Sequence, residues 1–144
     1  MTFRELDPQV LVADSPMEGP LMAEAAARGV TLAVNNRPDG EEADQWSSAD
    51  LEAAAHAAGL DYVHIPITAE FSEEKVAALT DAILGTDGRV LIFCKSGTRA
   101  TYLWAMAQAK AGESPEALDR SARRAGYSLG PLMPWLRRAG GAPE

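Results

Sequence analysis

The sequence predicts a single α/β domain: a largely parallel central sheet of about four strands, flanked by helices and followed by an all-helical C-terminus. Three observations carry this. Between residues 9 and 93, apolar runs alternate with Ala-rich stretches in the order β-α-β-α-β-α-β. Runs such as Val90-Leu-Ile-Phe93 are apolar at every position, as in strands covered on both faces. From Ala100 to Glu144 there is no Val or Ile, so the β-branched residues stop where the tail begins.

Residues 9–13 (QVLVA) form the first expected strand. A turn follows at Asp14-Ser-Pro-Met-Glu-Gly-Pro20, with Pro20 suited to the first position of a helix over 21–28 that Gly29 stops. Residues 30–35 are the second strand, and 35–42 (NNRPDGEE) a polar loop with turn chemistry. Ser47 or Ser48 caps a helix to about Ala58, with Gly59 beyond it. Residues 61–67 (DYVHIPI) are the third strand, with Pro66 marking its exit. Ser72 caps a helix to about Leu84, where Glu73 and Glu74 complement the dipole and Gly85 closes it. Residues 89–93 are the last strand. Helices are expected over 100–110 and from Ser114-Pro-Glu-Ala to about Arg124, with a short one opened by Pro131.

The 144 residues, 47% hydrophobic and 24% charged, fit one domain over 1–144, with Gly140-Gly-Ala-Pro-Glu144 a frayed end. A net charge of −8 argues against nucleic acid or an anionic membrane as partner, so any anion site must be a local positive pocket. The single cysteine excludes an intramolecular disulfide and suits a reducing compartment. The N-terminus carries charges at once, and no apolar run approaches the roughly 18 residues of a membrane span, so the expected location is cytoplasmic. One cysteine and two scattered histidines predict no zinc site, and no cofactor is implied.

Ligands of open parallel sheets bind outside the carboxyl ends of the strands. Three loops leave such ends, at residues 35–42, 68–72 and 94–99. They bring Cys94, Lys95, Ser96, Gly97, Thr98, Arg99, Arg37, Asp39 and Glu70 toward one rim. Cys94 ends a strand and precedes a helix, where free N–H groups and the helix dipole favour a thiolate. Arg99 adds a bidentate anion fork, and Asp39 and Glu70 are possible proton donors. The expected partner is a small anionic substrate, a phosphate ester or a sulfur donor, or else a phosphoprotein.

Blander readings stand beside these. A lone cysteine is often a small core hydrophobe. Gly97 serves any tight turn, and Asp39 lies in a Pro-Asp-Gly sequence that a β-turn explains. Arg37 would then only brace its loop. His64 reads as a core or rim histidine, His56 as a helix-surface residue, Glu41-Glu42 as a solvated pair, and Trp46, Trp104 and Trp135 as core.

The residues VNNRPDGEE at 34–42, Tyr62-Val-His-Ile-Pro-Ile67 and Phe93-Cys-Lys-Ser-Gly-Thr-Arg99 together resemble the beta-lactamase-hydrolase-like, phosphatase-like domain family. By fold that family goes with the dual-specificity and protein-tyrosine phosphatases. The resemblance runs from about Val10 to Tyr127 and implies a dual-specificity-phosphatase-like fold. It implies Cys94 as the nucleophile of a phosphocysteine, and the 95–99 amides with the Arg99 guanidinium as the phosphoryl cradle. A carboxylic acid from a neighbouring loop would protonate the leaving oxygen. The Cys strand would be the last, whereas rhodanese domains typically add another.

Four features depart from that pattern. Four residues separate Cys94 from Arg99 where such phosphatases usually have five, and four is the rhodanese length. Phe93 stands where His usually precedes the cysteine, and Ala100 where Ser or Thr usually follows the arginine, with Thr101, Thr98 or Ser96 as substitutes. The residue after the Ile-Pro strand where the acid would fall is Ala69, with Glu70 next to it. Three functions therefore follow: a phosphoester hydrolase acting through Cys94, a rhodanese-type sulfurtransferase carrying a Cys94 persulfide, or a non-catalytic module that binds anions or phospho-ligands.

Overall fold

The computed structural model describes residues 3–139, so the expected frayed end at 140–144 lies outside the described residues. Strands β1 (Phe3–Glu5), β2 (Val10–Ala13), β3 (Val30–Asn35), β4 (Asp61–His64) and β5 (Arg89–Phe93) make one five-stranded sheet in the order β1-β2-β5-β3-β4. All neighbouring pairs are parallel except β1 with β2. The Cys-bearing strand β5 is central, with Val12 opposite Ile92 on one side and Val34 opposite Ile92 on the other. It is also the last strand among the described residues.

The period of two along each strand feeds two cores. Val10, Val12, Leu32, Val34, Val90, Ile92 and Cys94 face one side, and Leu11, Ala13, Ala33, Leu91 and Phe93 the other. The first face is covered by α3 (Glu73–Leu84), α4 (Thr98–Lys110), α5 (Pro115–Arg124) and α6 (Met133–Ala139), through side chains such as Leu79, Leu103, Leu118 and Leu136. The second is covered by α1 (Pro20–Ala27) and α2 (Ser48–Ala57), through Met22 and Leu51. Burial on both faces is why these strands carry no polar alternation.

The helix starts follow their caps. Ser47, Ser72 and Ser114 each accept a backbone N–H three residues on, from Asp50, Lys75 and Ala117. After α5 a short 3-10 turn, Gly130–Leu132, leads into α6.

The sheet exceeds the expected four strands by β1. Phe3–Glu5 is an edge strand of three residues in which only Phe3 is buried, and its charged residues conceal it in the sequence. The Asp7-Pro8 turn folds it back: Asp7 Oδ1 accepts the Gln9 and Val10 N–H groups, each at 2.8 Å, and Phe3 pairs with Ala13. The third expected strand is also shorter than residues 61–67, because Pro66 has no N–H to give. Past His64 the chain stays beside β3 through the N–H groups of Ile65 and Ile67, which reach the carbonyls of Asn35 and Asn36 at 2.8 and 2.9 Å.

The tryptophans divide. Trp104 is buried and its Nε1 donates to Asp7 Oδ2 at 3.0 Å, while Trp135 packs half-buried against the first core. Trp46 is 38% exposed and is not core. Its ring lies so close over Gly19 that a Cβ there would come within 2.6 Å of it.

Candidate active site

Cys94 follows directly from β5 and continues its alternation, so its side chain turns into the first core and is 1% exposed. The chain then reverses through Lys95, Ser96 and Gly97 into α4. Gly97 is the N-cap of α4, with φ +94°, and its N–H donates to Cys94 Sγ at 3.2 Å. Only glycine suits this point: besides the positive φ, a Cβ would overlap the Tyr127 hydroxyl and lie 2.8 Å from the Ala13 carbonyl. The sulfur thus sits at the N-terminus of a 13-residue helix, with one N–H already aimed at it.

Arg99, in the first turn of α4, returns toward the sulfur. Its Nη1 donates to the Ile67 carbonyl at 2.8 Å, which ties the loop after β4 to the Cys loop. The outer edge of the guanidinium holds Glu41 in a two-point pair, Nη1 to Oε2 at 2.7 Å and Nη2 to Oε1 at 3.0 Å. Its pKa is raised, chiefly by the Glu41 hydrogen bond against some loss to burial, and the charge and hydrogen bonding of Cys94 add to the rise.

Glu41 also meets Arg37, whose side chain is only 6% exposed: Arg37 Nε lies 3.0 Å from Glu41 Oε1 and Nη2 2.7 Å from Glu42 Oε1. Lys95 Nζ joins Glu42 at 3.5 Å. Arg99 first, and Arg37 with it, hold the Glu41 carboxyl down to about 2 against the opposing effect of burial. Glu42 is lowered as well, first by Arg37 and then by Lys95. Glu41 and Glu42 are exposed, as expected of a solvated pair, but both are also ion-paired. Glu41 stands on the anion fork because the Pro38-Asp-Gly40 turn brings it back over Arg37.

The backbone under Arg37 is fixed from two sides. Asn35 Oδ1 accepts the Arg37 N–H at 2.8 Å, and the Arg37 carbonyl accepts from His64 Nε2 at 2.8 Å. That gives His64 its rim role. Asn36 is fully buried and donates from Nδ2 to the Ile65 carbonyl at 2.8 Å; its Oδ1, like the Thr101 hydroxyl, is buried with no partner among the described residues.

The expected residues thus fall into two groups. Cys94, Lys95, Ser96, Gly97, Thr98 and Arg99 form one loop, and Arg37 joins it through Glu41 and Glu42. Ser96 and Thr98 are exposed with their hydroxyls 3.3 Å apart. Asp39 is directed elsewhere: its Oδ1 accepts the Ser48 N–H at 2.7 Å, at the start of α2. Glu70 is exposed and makes no hydrogen bond or ion pair among the described residues. Beside Arg37 and Glu42 lies a cleft of about 310 Å³, lined also by Met17, Glu18, Asp44 and Trp46; no residue of the 94–99 loop lines it.

Two residues of the site had no signal of their own in the sequence. One is Glu41, although a glutamate four residues after an arginine is a recognisable pairing distance once the loop is known to turn. The other is Tyr127, which follows α5 and donates its hydroxyl to the Ser96 carbonyl at 2.8 Å. Burial, then the charge of Asp14, push the Tyr127 phenol up to about 12, so it remains a donor.

The family described as beta-lactamase hydrolase-like protein, phosphatase-like domain, matches residues 2–111. A beta-lactamase hydrolase-like protein of Xylella fastidiosa (strain Temecula1) is 37% identical over 115 residues, which are 78% of this chain and 27% of that protein. One of Agrobacterium fabrum is 31% identical over 136 residues, 93% of this chain and 30% of that protein. The chain spans about a quarter to a third of the length of these relatives. Among solved structures, a candidate phosphatase from Neisseria meningitidis Z2491 superposes with a TM-score of 0.83 at 27% identity, covering 96% of this chain and 99% of that one. Motifs, strand order and the match over residues 2–111 agree: the chain belongs to the beta-lactamase hydrolase-like protein, phosphatase-like domain family.

Proposed function

We propose that this domain hydrolyses phosphomonoesters through a phosphocysteine on Cys94. The observation that carries the reading is the Cys94 sulfur at the head of α4, taking the Gly97 N–H at 3.2 Å, with the Arg99 fork on the same loop. The thiolate attacks phosphorus as the ester P–O bond breaks. The 95–99 amides and Arg99 hold the phosphoryl oxygens, and a carboxyl group protonates the departing oxygen. Water then attacks the phosphocysteine, and the S–P bond breaks to release phosphate and the thiolate. Family membership and the phosphatase-like fold support the hydrolase. So does the chain order, with the Cys strand last among the described residues and helices after it.

One observation favours a second reading. Four residues between Cys94 and Arg99 make a smaller ring of amides than the usual phosphatase loop, better sized for a persulfide sulfur. The two separate in a parallel assay of an aryl phosphate and of thiosulfate with cyanide, on wild type and Cys94→Ser. Hydrolysis of the ester by wild type only, with no gain of one sulfur mass on Cys94, supports the phosphatase. Sulfur transfer without ester hydrolysis replaces it with the sulfurtransferase.

A further inference from the structure

The expected acids do not supply the leaving-group proton in any visible way. Asp39 is spent on the Ser48 N–H, and Glu70 stands exposed and unpaired among the described residues. Glu41 differs from both. Its two oxygens lie on Arg99, one of them also on Arg37, and Arg99 stands in the first turn of the helix whose N-cap, Gly97, gives its N–H to Cys94. The carboxylate and the thiol are therefore both held at the start of one helix.

Building on the phosphomonoesterase reading, we infer that Glu41 is the proton donor to the leaving oxygen, resting on Arg99 until the phosphoryl group takes the fork. Charge supports the exchange. Arg37, Lys95 and Arg99 are opposed by Glu41 and Glu42, so the resting cluster has little positive charge to spare for a doubly anionic group. A phosphoryl group takes the Nη1–Nη2 edge of the guanidinium only if Glu41 leaves it. Once displaced, Glu41 loses the partner that holds it near 2 and gains an anionic neighbour, and both changes favour its protonated form.

The protons balance. A substrate monoanion brings one in, which passes from a phosphoryl oxygen to Glu41. Glu41 gives it to the ester oxygen as the P–O bond breaks and the S–P bond forms. Glu41 then takes a proton from the attacking water as the S–P bond breaks, passes it to the departing phosphate, and returns to Arg99. The net reaction is monoanionic ester plus water to alcohol plus dihydrogen phosphate.

The test compares Glu41→Gln, Asp39→Asn and Glu70→Gln with wild type on two esters. Phenyl phosphate needs its leaving oxygen protonated, and 2,4-dinitrophenyl phosphate does not. In Glu41→Gln, kcat/KM for phenyl phosphate should fall by about 10²-fold or more while the dinitrophenyl ester is nearly unaffected. Vanadate should protect Cys94 from iodoacetamide about tenfold more tightly in Glu41→Gln, because no carboxylate competes for Arg99. A loose structural role would weaken vanadate and lower both esters alike. Equal effects on the two esters, weaker vanadate protection, or a leaving-group-dependent loss in Asp39→Asn or Glu70→Gln would each overturn the assignment. A wild type inert to both esters overturns the hydrolase itself, and this assignment with it; an active wild type beside an insensitive Glu41→Gln overturns the assignment alone.

Discussion

Arg99 and Glu41 meet as two parallel hydrogen bonds, 2.7 and 3.0 Å long, across 58 residues of sequence. A guanidinium that fits a carboxylate this way also fits a pair of phosphoryl oxygens, since both present two acceptors in one plane. Lysine cannot reproduce that fork. Arg99→Lys should lower kcat/KM for an aryl phosphate by about 10²-fold while keeping the charge. Steady-state kinetics decide it, and wild-type rates in the variant would mean that the fork is idle.

Cys94→Ser keeps the cradle and removes the nucleophile. Turnover of the aryl phosphate should fall by about 10³-fold or more. Vanadate or phosphate should still bind, as measured by calorimetry. Retained turnover would place the nucleophile elsewhere.

Gly97→Ala forces a side chain into a backbone with φ +94° and against the Tyr127 hydroxyl. The expected cost is about 1–3 kcal/mol in urea unfolding. Loss of the Gly97 N–H from the Cys94 sulfur should accompany it, seen as lower aryl phosphatase activity. A variant as stable and as active as wild type would contradict this geometry.

Tyr127→Phe deletes the hydrogen bond to the Ser96 carbonyl and little else. Stability should drop by about 1 kcal/mol. Amide exchange over residues 96–98 should quicken, and kcat/KM should fall several-fold. Unchanged exchange at those amides would show that the loop holds its shape without the phenol.

The Glu41 carboxyl lies at about 2 in the folded chain against an ordinary 4.5. A depressed acid stabilises the fold above its unfolded value and loses that contribution as pH falls through the folded one. Between pH 4.5 and 2 the urea midpoint of wild type should therefore fall more steeply than that of Glu41→Gln. Added salt should shrink the difference, because the pair is partly solvated. Parallel curves for the two proteins would mean that the ion pair is not maintained in solution.

How much was legible follows from the range of the interactions. Strands β2, β3 and β5 were readable because burial on both faces leaves apolar runs, and the helices because Ser47, Ser72 and Ser114 announce their starts. Cys94 and Arg99 were readable because one short loop contains both. β1 was not, since Arg4 and Glu5 face outward on an edge strand and only Phe3 marks the core. The Glu41 pairing depends on a long-range approach between the loop after β3 and helix α4, which no local pattern encodes. Tyr127 reaches Ser96 from 31 residues away for the same reason. Trp46 looked like core because aromatic rings usually are, but here it covers Gly19 from the outside.

The Tyr127–Ser96 contact also bears on how this domain is to be cut for expression or fusion. The family match ends at residue 111, yet the phenol that props the Cys loop comes after it, as do Leu118, Leu129 and Leu136 of the first core. A fragment trimmed to the matched stretch would contain every residue from Cys94 to Arg99 and expose the face of the sheet they pack on. Such a truncate would carry the whole motif and lack its scaffold, so a negative assay on it would say nothing about the intact chain.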